Sequence, residues 1–282
     1  MNKRTNLILL IFISTLSNVY CQSSMLPLDL AKKIFSKTKF VDIKKYCTGE
    51  YTGRPNGKDI DKNATLQFIL LNQTPDKAIV AVTILDTTGR GLDTYLHFSK
   101  ETIWKVNAFR ALAMTGMIEG VKKELMELSP KKVDSLIAIS KNDTTGNSIF
   151  KSREDFDFQL GNVNLILALD SEIIEHFHNN KVEFERLKDI AFRDWDTTNT
   201  DEESRIKLCN GRESDFHKLF IHSIETGGYE LGKCINFLIG GILDNTVGYL
   251  FVRDKKNLPE INPDKIIMIR EIGNGWYIYK TT

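Results

Sequence analysis

The spacing of hydrophobic and polar positions along this chain changes several times, and each change predicts an element. Leu30, Ile34 and Phe35 recur at helical spacing and predict a helix over 28–38. Four strand-like runs follow: ATLQFILL, KAIVAVTIL, LDTYLHFS and TIWKVNAF. The links between them, NQTPD, DTTGRG and KE, are short and carry turn residues, which predicts an antiparallel meander. KAIVAVTIL is apolar at both parities, as expected of a central strand covered on both faces. A helix over 111–128 comes next, rich in Ala, Met, Leu, Glu and Lys, and Pro130 limits how far it continues.

A polar, turn-rich cluster at 139–148, ISKNDTTGNS, separates this pattern from a second one. Asp170 or Ser171 can cap SEIIEHFHNN, and KVEFERLKDIAFRDW follows with Phe184, Leu187, Ile190 and Ala191 along one face. DTTNTDEES reads as a solvated acidic link. ESDFHKLFIHSIET predicts a further helix, and NFLIGGIL, NTVGYLFV, DKIIMIREI and WYIYKT predict strands. Between the last two, Asn274-Gly275 suits a tight type I′ turn.

The stretches Asp76 to Trp104 and Asp244 to Trp276 echo one another: an apolar strand, a polar connection, a second strand and a hairpin leading to tryptophan. The fold class expected is therefore α+β, with two domains over 22–140 and 141–282, each a helix packed on a curved antiparallel sheet. This element order resembles the cystatin and nuclear-transport-factor-like folds. The resemblance implies an architecture and no activity.

Residues 1–21 change the picture by adding an address. Lys3 and Arg4, then LILLIFIST, then a more polar stretch ending in Val19, Tyr20 and Cys21 follow the order of a secretory signal peptide. The apolar run is shorter than the roughly 20 residues that span a bilayer. Val19 and Cys21 suit cleavage before Gln22. Lipoprotein anchoring at Cys21 is disfavoured by Tyr20, where such signals carry a small residue. The expected location is secreted or periplasmic, with no transmembrane segment after signal removal.

Loss of the leader removes two positive charges and no negative one, turning the formal charge from +1 to −1. The chain has no long basic run and no basic-aromatic interleaving, which argues against nucleic acid as a partner. Cys47, Cys209 and Cys234 remain. Cys209 with Cys234 is the preferred disulfide, set against three reduced thiols packed as small hydrophobes. Asn63, Asn72 and Asn142 each begin an N-x-Ser/Thr acceptor, relevant only in a glycosylating host.

Several catalytic signals fail on physical grounds. GGYELGKC fits G-x-x-x-x-G-K, but Cys234 stands where a hydroxyl should hold magnesium, and the INFLIGGIL that follows reads as strand where a helix is needed. AVTILDTTGRG resembles the aspartate loop of haloacid dehalogenase-type phosphatases, yet LDTYLHFS resumes at once as strand, so Asp86 reads as the start of a hairpin connection. His176 and His178 are two apart on a helix, roughly 200° around it, and His217 and His222 diverge by about 140°. Neither pair easily shares a metal. In the acidic cluster Asp194, Asp196, Asp201, Glu202 and Glu203, Arg205 stands where an EF-hand places its bidentate Glu. No metal site and no cofactor is expected, and neither H-E-x-x-H nor G-x-S-x-G occurs.

One surface remains. Alternation in LDTYLHFS puts Leu92, Leu96 and Phe98 on one face and Asp93, Tyr95 and His97 on the other. That second face is either the ordinary wet side of a sheet or the wall of a ligand pocket in which His97 titrates near neutrality. The function expected is an exported, non-catalytic binding or interaction protein whose partner is an unidentified protein or small molecule. The alternative is a small-molecule enzyme with an acid-base pocket between helix and sheet. An enclosed cavity with convergent polar groups favours the enzyme, and an open surface favours a protein partner.

Overall fold

The computed structural model describes residues 25–141, 149–197 and 205–282. The leader and Cys21 lie outside these residues, as do Asn142, residues 201–203 of the acidic cluster, and most of the 139–148 break.

The fold is α+β with two antiparallel sheets. The first contains β1 (Thr65–Gln73), β2 (Lys77–Leu85), β3 (Gly91–Lys100) and β4 (Trp104–Ala111) in the order β1-β2-β3-β4, the expected meander. Helix α1 (Pro27–Ile34) covers one of its faces. Leu30, Ala31 and Ile34 of α1 pack with Ala78, Val80, Val82, Leu96 and Phe98, the residues of one parity in β2 and β3.

The opposite parity is also buried. Ile79, Ala81 and Tyr95 belong to a second, larger core built from helices and the second sheet. That sheet contains β5 (Lys207–Leu208), β6 (Ser223–Thr226), β7 (Ile235–Ile242), β8 (Asn245–Phe251), β9 (Ile266–Gly273) and β10 (Trp276–Thr281), ordered β5-β6-β7-β8-β10-β9. Here the echo between the halves ends: β10 inserts between β8 and β9, so the last three strands do not form a meander.

Helices α2 (Thr115–Glu127), α3 (Pro130–Ser140) and α4 (Arg153–Ile166) form a small bundle around Leu125, Val133, Phe150 and Phe156. The helix expected over 111–128 starts later, because β4 runs to Ala111. It ends at Glu127, short of Pro130, as expected. Pro130 occupies the first turn of α3, where its missing N–H costs nothing, behind Ser129, whose side chain accepts from Lys132 N.

Helices α5 (Asp170–Asn179) and α6 (Lys181–Thr197) lie on the second sheet, with Phe177 and Phe184 in ring contact with each other and each with Tyr249 and Trp276. The cap expected from Asp170 or Ser171 is made differently: Leu169 precedes the helix, and its N–H is held by Glu172 Oε2 at 2.8 Å.

The largest departure from the sequence pattern is in ESDFHKLFIHSIET. Only Glu213–His217 is helical (α7), and Ser223–Thr226 is strand β6. Phe216, Leu219 and Phe220 mimic a helical stripe, but Phe220 adopts φ 57° and ends the turn. Residues Ser223–Thr226 then pair with β7 at the register Ser223↔Leu238 to Thr226↔Ile235. Pairing across the sheet overrides local periodicity here.

Candidate functional site

The candidate site is assembled on β3, β10 and the start of α5. Asp93, Tyr95 and His97 share one face of β3, as the alternation predicts, but that face is buried. All three are 5 % exposed or less. Across from them stand Asp170, the first residue of α5, and Lys280, which lies on the same parity of β10 as the buried Trp276 and Ile278.

Tyr95 Oη donates to both carboxylate oxygens of Asp170, at 2.9 and 3.1 Å. Lys280 Nζ lies 2.8 Å from Asp170 Oδ1 and 4.0 Å from Asp93 Oδ2. Asp93 accepts from the Asp170 backbone N–H at 2.6 Å and from the Thr83 hydroxyl at 2.5 Å. Burial, and then the Asp170 charge, push the Asp93 carboxyl above the usual carboxylate range, against the pull of Lys280 and Thr83. Burial, again followed by Asp170, pushes the Tyr95 hydroxyl well above its ordinary value.

His97 stands apart from this cluster. Its ring makes a hydrogen bond with the Ile267 backbone on β9, while Nε2 is buried without a protein partner. Burial, reinforced by the Arg110 charge, lowers its pKa to about 4, so His97 is neutral near pH 7. The near-neutral titration expected of it is thereby corrected. Arg110 itself ties the halves of the chain together, donating from Nε to Pro263 O at 2.6 Å and from Nη2 to Glu50 at 2.7 Å.

The bridge expected between Cys209 and Cys234 is also corrected: both are free thiols. Cys209 packs in the core between helices and sheet, and Cys234 packs with Leu250, Tyr277 and Tyr279 on the other face. The second sheet stands between them. Burial pushes each thiol up to about 12, which keeps both un-ionised and unreactive.

The rejected motifs take ordinary structural roles. Asp86 closes the β2–β3 hairpin, accepting from the Thr88 and Arg90 N–H groups, with Gly89 at φ 83°. GGYELGKC links β6 to β7 through a single turn, Gly228–Leu231, within an antiparallel sheet. His176 stacks on Phe220, and His217 stacks on Phe158 with ring centroids 4.0 Å apart. Asp194 accepts the Cys209 N–H at 2.8 Å. Among the described residues no group of three or more His, Cys, Asp or Glu side chains is placed to hold a metal. None of the described helices is long and apolar enough to cross a membrane.

A concavity lies elsewhere on the molecule. An open groove of about 1310 Å³ runs between the β2–β3 hairpin tip, α2, α4 and α5. Its floor includes Gly161, Leu165, Ala168 and Phe220. Its rim carries three basic side chains, Arg90, Lys122 and Lys123, and three acidic ones, Glu119, Glu127 and Glu172. Met126 lines it while 64 % exposed. None of Asp93, Tyr95 and His97 reaches it.

Two partners in the buried cluster lie outside the β3 face that alternation singles out. Lys280 had a signal: in WYIYKT it falls on the parity of Trp276 and Ile278, where an apolar residue is expected. Asp170 had none, because a carboxylate at a helix start is sufficiently explained by the helix dipole. Compared with protein-family models, with curated proteins and with solved structures, the chain shows no significant similarity to any.

Proposed function

We propose that this chain is an exported, non-catalytic binding protein that engages a protein partner through the groove between the β2–β3 hairpin, α2, α4 and α5. The observation that carries this reading is the separation of polar chemistry from accessible space. The acid-base side chains are sealed between the sheets, while the large concavity is open, apolar in its floor and balanced in its rim charge. Such a surface suits another polypeptide better than a small molecule that must be enclosed. Exposed Met126, which lines the groove, adds adaptable apolar contact area.

The enzymatic alternative would have to work through Asp93, Tyr95, Asp170 and Lys280. Its support is their convergence, and against it stands their placement away from the groove.

The test uses the full chain purified from its native host. Mass spectrometry of the secreted form is expected to show an N-terminus at Gln22. A partner recovered by chemical cross-linking is expected to bind the wild type and a distant control, Leu243→Arg, equally, and to bind Met126→Arg at least about tenfold more weakly, the scale of one interface contact. Undiminished binding by Met126→Arg removes the groove from the account. Turnover of a small molecule that Tyr95→Phe abolishes would favour the enzyme.

A further inference from the structure

A lysine and two carboxylates without access to water are costly to keep ionised, and the reason for retaining them is to be sought in their chemistry. Lys280, Asp170 and Asp93 are at most 5 % exposed in their side chains, and they meet at the junction of β3, β10 and α5. The amine nitrogen stands beside one carboxyl, at 2.8 Å from Oδ1 of Asp170. The second carboxyl stands just beyond, with Asp93 Oδ2 at 4.0 Å from the same nitrogen.

We propose that Lys280 and Asp170 condense into an intramolecular isopeptide bond, with Asp93 as the proton-transfer group and Tyr95 as the hydrogen-bond donor to the reacting carboxyl. The step is a dehydration. The Lys280 ammonium first gives one proton to the Asp170 carboxylate, leaving a neutral amine beside a carboxylic acid. The Nζ lone pair attacks Cγ and the C–N bond forms. Asp93 takes a second proton from Nζ and returns it to the departing hydroxyl, the C–O bond breaks, and one water leaves. Asp93 ends as it began, no oxidant or reductant is consumed, and an ion pair is replaced by a neutral amide.

Four features of the site favour this outcome. The reacting groups are fixed at contact distance, which removes the entropic part of the barrier. Tyr95 Oη donates to both Asp170 oxygens, at 2.9 and 3.1 Å, so it is in place for the oxyanion that develops on attack. Asp93 is anchored by Thr83 and by the Asp170 N–H, and its carboxyl is displaced upward by burial and by the Asp170 charge, which suits it to carry a proton. The product dispenses with two buried charges, in a site where the ions gain little from solvent.

The product would staple β10, an interior strand of the second sheet, to the start of α5 and leave both packed against β3. A bond of that kind resists proteolysis and thermal unfolding without the redox dependence of a disulfide, and the buried Cys209 and Cys234 offer no such bridge.

The experiment is intact mass measurement of the full-length folded chain under denaturing conditions, followed by digestion. The expected result is a mass below that of the sequence, corrected for any leader cleavage, by one water molecule. A branched peptide joining the segments around Lys280 and Asp170 is expected in the digest. Lys280→Met should restore the full mass, and Asp93→Asn should restore it in whole or large part. Full mass in the folded wild type, with separate Lys280 and Asp170 peptides, overturns the proposal without reference to any variant. Bond formation in Asp93→Asn at the wild-type rate overturns the role given to Asp93.

Discussion

The ring of Phe220 lies against the bare backbone of Gly161: a Cβ on this residue of α4 would overlap the Phe220 ring carbons. Asn162, the next residue, donates from Nδ2 to Phe220 O at 2.7 Å and to Ile239 O at 2.6 Å, clamping α4 to the chain entering β6 and to β7. Since Gly161 and Phe220 also line the groove, its floor is set by this close approach. Gly161→Ala is expected to displace the ring and destabilise the fold by about 1–3 kcal/mol, the usual cost of overpacking. Chemical denaturation measures it, and a change below about 0.5 kcal/mol, the scale of an ordinary surface substitution, would contradict the packing described.

The β9–β10 hairpin turns on Asn274 at φ 55° and Gly275 at φ 83°, the left-handed pair of a type I′ turn. A Cβ at Gly275 would stand 2.8 Å from Val252 O. Gly275→Ala is expected to cost about 1–2 kcal/mol through the disfavoured conformation, with a further penalty from that contact. An unchanged thermal midpoint would contradict the turn.

Tyr249 Oη donates to Ile173 O at 2.8 Å from within the core under α5. Tyr249→Phe removes this hydrogen bond and is expected to lower stability by about 0.5–1.5 kcal/mol. Equilibrium unfolding checks it, and a neutral or stabilising result would show the hydrogen bond to be replaced.

Elements of the fold and of the candidate site differ in how far the sequence announces them. The Asn274-Gly275 turn follows from local chemistry, because turn type is decided by neighbours in sequence. The β6 strand does not, because Ser223–Thr226 owes its conformation to β7. The face holding Asp93, Tyr95 and His97 was correctly assigned by alternation, and its surroundings were not. Whether that face meets water or a second sheet depends on where β10 and α5 settle, and no spacing within LDTYLHFS encodes this. The groove was missed for the same reason: Arg90, Lys122, Glu172 and Phe220 come from four separate segments and share no motif.

Acid is expected to weaken the fold through His97. Its pKa is about 4 in the folded chain and near 6.5 when unfolded. Between these values the unfolded chain binds the extra proton, so stability is complete above about 6.5 and declines as pH falls toward 4, by up to about 3 kcal/mol. Asp93, raised above its unfolded value, works in the opposite sense, favouring the fold below its native pKa and withdrawing that contribution as pH rises through it. His97→Gln isolates the histidine contribution. The stability difference between wild type and His97→Gln should shift against the wild type as pH is lowered from 7 to 4, and pH profiles that stay parallel would contradict the assignment.

The central claim is that the polar face of β3 is sealed against the second sheet, and the most direct measurement of it is the proton NMR titration of the His97 ring, assigned by comparison with His97→Gln. A midpoint near 4 is predicted by burial beside Arg110. A midpoint near the ordinary value of about 6.5 would place the ring in water and reopen the face as an accessible pocket.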